Sequence, residues 1–384
     1  MKFRILAAGF FIVAIASSSW NLTQPEATDS NFARLAIYYG YPSLINGSHG
    51  DVEKAAGVFA GYRVVVLGDG IEFPDRQPNR NPQGDPAEHK KAEEIMVAVH
   101  QVNPRIEFYG YVCLGDLPSH EGKATALPSG ELKDRIRLWK QLGVKGVFLD
   151  EAGYDFPAVT RNRQNIAVQF VHQLGMSAFV NAYFPDHLFS QGDSLPNAAG
   201  SEKNPQHAPT LLDRRDAFLL ESFQVKNGQY EDPQEWQQRI RKALAYRQRF
   251  GTRIFATSTT QPGIPFDAAQ FDYAWWTASL YGLDGFAWGE SDFSARDNSL
   301  PDRNAASANM PPDHVSYSSA VNSDGRRFWR RTGDYFVVVD TTNHSVRRVS
   351  AAEFAKWRAV TPSGNRGARP LPVGPANSHE LQAN

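Results

Sequence analysis

The sequence predicts an α/β fold, a (β/α)8 TIM barrel with a small C-terminal β-hairpin extension, on three observations. Eight short apolar runs alternate with longer amphipathic stretches. Each run is continuously apolar, as a strand buried on both faces of a parallel sheet must be. The alternation extends from residue 34 to residue 288, about 255 residues, which is the length of such a barrel.

In chain order the runs are 35–39, 62–67, 106–112, 146–149, 177–181, 217–220, 253–257 and 285–288, all rich in Val, Ile, Phe and Tyr. The helical stretches between them are 52–60, 87–101, 131–142, 163–174, 233–250 and 268–281. Pro128-Ser129 opens the third helix with Ser129 as its cap, and Gly143 closes it. Gly175 closes the fourth. Asp232-Pro233 and Gly251 bracket the fifth, and Asp267 and Gly282 the sixth. The stretch 185–213 is the weak point, with room for one short helix near 210–214 after a long loop. A doubly wound sheet is the rival fold, but no Gly-x-Gly-x-x-Gly follows the first run.

Beyond the eighth run, 294–312 is a polar loop, and 335–340 with 345–349 form a hairpin around 341–344. The predicted organisation is a leader over 1–20, a barrel over 31–312, a β extension over 325–360 and a disordered tail over 361–384. The leader reading rests on Lys2 and Arg4, an apolar run over 5–16 and the small residues Ser17, Ser18 and Ser19. It places the mature chain outside the cytoplasm, secreted or periplasmic, without stable membrane insertion after cleavage. An uncleaved N-terminal anchor is the lesser alternative, because the run is short of the roughly 20 residues a span needs.

Composition narrows the function. Hydrophobic residues make up 41% of 384 and charged ones 21%, which excludes a disordered or fibrous chain. Forty basic against forty-one acidic residues, net charge −1, argues against nucleic-acid or anionic-membrane binding. One cysteine, Cys113, leaves neither an intrachain disulfide nor a cysteine zinc site. The ten His show no His-x-His or His-Glu-x-x-His spacing, so no metal or other cofactor is expected, and no Gly-x-Ser-x-Gly elbow supports a serine nucleophile. Aromatics at 12% are enough for both a core and a sugar-stacking cleft.

Barrel active sites lie at the carboxyl ends of the strands. The residues there are Tyr39, then Asp69 between two glycines, Tyr111, the pair Asp150-Glu151, Asn181 with Tyr183, Glu221, and Trp288. This acidic, aromatic rim matches the needs of glycosidic-bond hydrolysis: one carboxylic acid protonates the leaving oxygen, and a second carboxylate attacks or activates water. Asp150 and Glu221 are the catalytic candidates, with acid and nucleophile unassigned. Asp69, Glu151, Asn181, Tyr39, Tyr111, Tyr183 and Trp288 are candidate substrate contacts, and the expected partner is a polysaccharide met by a monomer. The alternatives are a non-catalytic carbohydrate-binding barrel and a metal hydrolase built on Asp69, Asp150, Glu151 and Glu221.

The order Ile37-Tyr38-Tyr39, Tyr109-Gly110-Tyr111-Val112, Gly146-Val147-Phe148-Leu149-Asp150-Glu151, Asn181 and Glu221-Ser222 resembles the spherulin-4-like glycoside hydrolases. It is similar also to their relatives, the endo-α-1,4-polygalactosaminidase barrels. The resemblance covers residues 34–288 and is most specific at 146–151, after the helix that bears Trp139. It implies secretion and cleavage of an α-1,4-linked galactosamine-type exopolysaccharide. It also implies that the family's fourth-strand Asp corresponds to Asp150 and its sixth-strand Glu to Glu221. The Tyr38-Tyr39-Gly40-Tyr41-Pro42 segment, the 188–208 loop and the hairpin depart from that pattern.

Overall fold

A computed structural model describes residues 30–68, 70–75, 86–118, 124–192, 203–300, 314–315 and 317–360. The expected leader, Asp69, residues 301–312 of the polar loop and the 361–384 tail lie outside the described residues. Among those described, no helix is long and apolar enough to cross a membrane.

Eight parallel strands close into a barrel: β1 (Ala33–Tyr38), β2 (Val64–Leu67), β3 (Glu107–Cys113), β4 (Gly146–Asp150), β5 (Ser177–Asn181), β6 (Ala217–Leu220), β7 (Arg253–Thr260) and β8 (Gly285–Glu290). Each pairs with its sequence neighbour, and β8 pairs with β1 through Gly285 opposite Ala33. The fold class read from the sequence is therefore the one observed. Helices α1 (Val52–Phe59), α2 (Pro86–Val102), α3 (Ser129–Leu142), α4 (Arg161–Gln173), α6 (Pro233–Phe250) and α7 (Ala268–Leu280) connect the strands, with α5 (Asp186–Phe189) a single turn between β5 and β6.

Helix ends follow local chemistry. Asp232 accepts from the backbone N–H of Gln234 and Glu235, and Asp267 from Ala269 and Gln270, so both cap as expected. Gly143 and Gly251 take left-handed conformations at the ends of α3 and α6. Ser129 does not cap α3: it is the first helical residue, and Pro128 ahead of it offers no side-chain acceptor. The short helix expected at 210–214 is also absent, and the turn of helix lies upstream, in α5. Around 210–216 side chains take the backbone donors instead. Thr210 Oγ1 accepts from Leu212 N at 3.3 Å, and the Asp216 carboxylate accepts from Asp213 N at 2.8 Å.

Strand residues alternate between two cores. Ala33, Leu35 and Ile37 of β1 point into the barrel with Tyr109, Phe148, Phe179, Leu219, Phe255 and Ala287. Phe179 lies at the centre, 5.2 Å from the Phe148 and Phe255 rings and 5.5 Å from Tyr109. The intervening residues pack outward against the helices. Trp139, Trp275 and Trp276 all belong to that outer layer. Trp139 lies over β3 because Gly110 has no side chain there: a Cβ would stand 1.9 Å from its ring.

Among the described residues no barrel helix follows β8. A four-stranded antiparallel sheet occupies the chain instead: β9 (Asn322–Ser323), β10 (Arg327–Thr332), β11 (Tyr335–Asp340) and β12 (Ser345–Ser350), followed by α8 (Ala351–Val360). The expected hairpin is β11–β12 with its turn at Thr341–His344, enlarged by β9 and β10. Phe328 of β10 is fully buried, 5.9 Å from Trp236 of α6 and 6.0 Å from Tyr281.

Candidate active site

The inward alternation continues past the barrel core and sets the mouth. Two residues beyond Ile37, Tyr109, Phe148, Phe179 and Leu219 come Tyr39, Tyr111, Asp150, Asn181 and Glu221. These five share one facing, over the barrel interior. A cavity of about 510 Å³ opens there, lined by Tyr39, Asp150, Glu151, Asn181, Tyr183 and Glu221 from among the candidates.

Asn181, on the strand between those of the two acids, joins them. Its Nδ2 donates to Asp150 Oδ1 at 2.7 Å and to Glu221 Oε2 at 3.0 Å. Together 2.7 Å and 3.0 Å cap the separation of those oxygens at about 5.7 Å. Straight hydrogen bonds along two N–H bonds 120° apart would put the oxygens about 5 Å from one another. Both amide hydrogens are committed to carboxylates, so Asn181 holds the pair rather than offering its N–H groups to a ligand.

The electrostatics separate the two acids. Burial pushes Asp150 above the usual carboxylate range, and the charge of Glu151 adds to it; the Asn181 amide, the Glu151 backbone N–H and the Tyr111 hydroxyl favour its anion. Burial also pushes Glu221 up, reinforced by the Asp150 charge, against Asn181, Lys226 and Arg239. More hydrogen bonds stabilise the Asp150 anion, and that anion raises Glu221. Ionising either acid raises the other, so the pair loses its protons in two steps and one carboxyl stays protonated to higher pH.

Both acid-bearing strands end in strained backbone. Glu151, directly after Asp150, has φ 51°, and Ser222, directly after Glu221, also has φ 51°. Left-handed conformations at non-glycine residues are costly and cluster where a site demands them. Here they turn the chain sharply off the barrel, so Glu151 faces sideways to β3. Its Oε2 accepts from Cys113 Sγ at 3.2 Å, and the Gly115 position leaves room for it. Tyr183 is pinned by its hydroxyl to Glu235 Oε1 at 2.5 Å and by Arg239 stacked 4.0 Å from its ring centre; burial and Glu235 push its pKa up to about 12.

Two candidates stand differently from expectation. Tyr111 does not line the cavity but supports it, edge-on to Tyr39 at 5.2 Å. Trp288 is not at the cavity. It follows the inward Ala287, so it points outward and packs on Phe266 and Phe271, 6.0 Å from each. The inward position beside it is Gly289. Conversely, Asp155, Phe156, Phe184, Lys226 and Phe293 line the cavity without being among the sequence candidates. Four lie on loops past the strand ends and Lys226 on a short hairpin, where the alternation of the barrel strands carries no signal.

Among the described residues, one group could hold a cation: His172, Asp213 and Asp216. It lies at the far end of β6 from Glu221. Its oxygens are already engaged, Asp216 by His172 Nε2 at 2.9 Å and Ala178 N at 2.8 Å, and Asp213 by Arg215 at 3.0 Å.

Replacing Asn181 by Ala would remove the shared donor and leave two facing carboxylates. We expect kcat to fall about 10²-fold. Both limbs of the pH profile should move upward, because a donor that favours the anions is gone. A pH–rate series with folding checked by circular dichroism measures this.

No protein-family profile matches the chain, and no curated protein is significantly similar to it. Among solved structures, the chain is similar to a complete multifunctional pyruvate carboxylase from Rhizobium etli, with 10% identity and a TM-score of 0.39 over 69% of this chain. That match spans about a quarter of the carboxylase, 24% of its length. The chain is also similar to an endo-β-1,4-glucanase from Xanthomonas axonopodis pv. citri, with 12% identity and a TM-score of 0.39 over 68% of this chain and 88% of that one. At these scores neither likeness bears on chemistry, and the barrel rests on its own strand order.

Proposed function

We propose that the chain is a glycoside hydrolase, as the spherulin-4-like barrels its sequence resembles are, and that it cleaves a polysaccharide with retention of configuration. The observation that supports this most is the single amide of Asn181 bridging two buried carboxylates, which keeps the two bonded oxygens within about 5.7 Å and so nearer to a nucleophile and its acid/base than to a pair with a water between them. In this reading Glu221, which keeps its proton, donates it to the glycosidic oxygen as the bond to the anomeric carbon breaks. Asp150, ionised, attacks that carbon from the opposite face and forms a covalent glycosyl ester. Glu221, now a carboxylate, takes a proton from water, which displaces Asp150 and restores the starting configuration. Tyr39, Tyr183, Phe156 and Phe184 supply aromatic surface around the reacting sugar.

Among the described residues the lining carries four carboxylates, Asp150, Glu151, Asp155 and Glu221, against the single cation Lys226. Such a cavity disfavours uronate or sulfated glycans and suits neutral or amino sugars, which agrees with the α-1,4-linked galactosamine-type polymer that the resemblance implies. The leader expected over 1–20 would deliver the chain to where such polymers lie. Purified protein incubated with galactosamine, neutral and uronate polysaccharides should release reducing ends from the first most rapidly and from the last not at all. Preferred cleavage of the uronate polymer would overturn the charge argument.

Lys226 tests the assignment of Glu221 as acid. An ammonium nearby favours the Glu221 carboxylate, so Lys226→Met removes that pull and raises its pKa. The alkaline limb of kcat/KM should then move to higher pH while the acid limb, set by Asp150, stays. A shift of the acid limb alone would exchange the two roles.

A further inference from the structure

Lys226 reaches the cavity from a short hairpin, Val225–Lys226 paired with Gln229–Tyr230 around an Asn227-Gly228 turn. Both turn residues are left-handed, φ 51° and 76°, the two-residue turn that Asn-Gly favours. On the cavity side, Lys226 Nζ stands 5.7 Å from the Tyr183 ring centre. The turn is tied to the barrel by Asn227 N to Thr259 Oγ1 at 3.0 Å, Gly228 N to Thr259 O at 2.8 Å and Gln270 Nε2 to Gly228 O at 2.9 Å. The returning strand has different support, for Gln229 and Tyr230 are both exposed and two cross-strand pairs alone are marginal.

Glu231 N closes the base of the returning strand on Gln224 O at 2.9 Å, and the strand's outer face is covered by the C-terminal sheet. The Tyr230 ring lies flat on His344, with centroids 3.8 Å apart and planes 7° from parallel. Tyr273 of α7 meets both edge-on, at 5.6 Å and 5.5 Å. His344 is held in the β11–β12 turn with φ 46°, beside Asp340, whose Oδ1 accepts from Thr342 N at 2.9 Å and Asn343 N at 3.3 Å. The sheet behind it is fixed to the barrel by Phe328 and by Arg330, which donates to Leu280 O at 3.1 Å. The hairpin thus has one end in the cavity and the other against the extension.

We propose that His344 is a positioning residue of the active site: stacked on Tyr230, it clamps the hairpin that carries Lys226 into the cavity, which makes the C-terminal sheet part of the catalytic apparatus. Its effect on catalysis rests on the hydrolase reading; the clamp itself does not. The charged groups facing Glu221 are Asp150, Lys226 and Arg239, and those nearest the stacked rings are Asp340 and Asp267. Of these, only Lys226 lies on the hairpin that the stack holds.

The test compares His344→Ala, His344→Phe, Lys226→Met and the double variant His344→Ala/Lys226→Met. In His344→Ala, amide hydrogen exchange over 226–230 should quicken while the barrel strands stay protected, and kcat/KM should fall roughly 3- to 30-fold. The alkaline limb should move upward, as in Lys226→Met but by less. His344→Phe, which keeps a flat ring, should restore all three. The double variant should be no worse than Lys226→Met alone, since both act through one group. Unchanged exchange over 226–230 in His344→Ala overturns the clamp whether or not the chain cleaves any glycan. Quickened exchange with additive losses in the double variant overturns the route through Lys226. If wild-type protein cleaves nothing, the hydrolase reading fails, and exchange alone decides the clamp.

Discussion

Asp150→Asn protein is expected to fold, to bind glycan and to release reducing ends at least ~10⁴-fold more slowly than wild type, because the attacking carboxylate is gone. Glu221→Gln should lose roughly 10²–10⁴-fold on natural polymer, the contribution of a positioned acid. The two losses separate by leaving group. An aryl glycoside with an acidic phenol needs little protonation, so Glu221→Gln should recover much of its bond-breaking rate on it and Asp150→Asn should recover none. Added azide should then accelerate Glu221→Gln by attacking the glycosyl ester that its missing base leaves stranded. Recovery in Asp150→Asn instead would exchange the two roles.

The second large effect is on stability. Gly110→Ala would place a Cβ 1.9 Å from the Trp139 ring, and that ring has nowhere to go. Trp139 is fully buried, and its Nε1 donates to Tyr111 O at 3.0 Å. Overpacking of this kind costs about 3 kcal/mol, and it acts on the strand that carries Tyr111 toward Asp150. Gly57 is the matched control, a helical glycine where an added methyl would meet nothing within 4 Å. Gly57→Ala should stabilise the protein by about 0.5–1 kcal/mol. Urea unfolding of both variants measures the contrast, and equal midpoints would contradict the packing account.

The barrel was legible because a strand buried on both faces must be apolar throughout, and the helices between them carry their own caps and left-handed glycines. Asp232, Asp267, Gly143 and Gly251 all act where local chemistry puts them. The structure departs from the sequence pattern where a one-residue offset or a tertiary partner decides. Ser129 had the chemistry of a cap but stood one position inside the helix. The 210–216 segment spent its backbone donors on Thr210 and Asp216, and the helical turn formed instead around Asp186, which accepts from Tyr246 at 2.7 Å and pairs with Lys242.

At the mouth, strand parity was the usable signal. Tyr39, Asp150, Asn181 and Glu221 stand two residues past inward core positions and line the cavity together, whereas Trp288 stands one past Ala287 and faces away. The two-residue period of a strand therefore places Trp288 outside the mouth. Lys226 and Asp155 had no such rule. Each sits five residues beyond a strand-end acid, Asp155 on a turning loop and Lys226 on a hairpin, and only the fold of that segment aims it inward.

Retention rests on one geometric relation, that Asp150 and Glu221 stand at the separation of a nucleophile and its acid/base. Proton NMR of the first-formed product tests it most directly. With an α-linked polymer, the new reducing end should appear as the α anomer, and the β anomer should grow in only through mutarotation. First appearance of the β anomer would mean direct displacement by water, and would contradict the pairing that Asn181 holds.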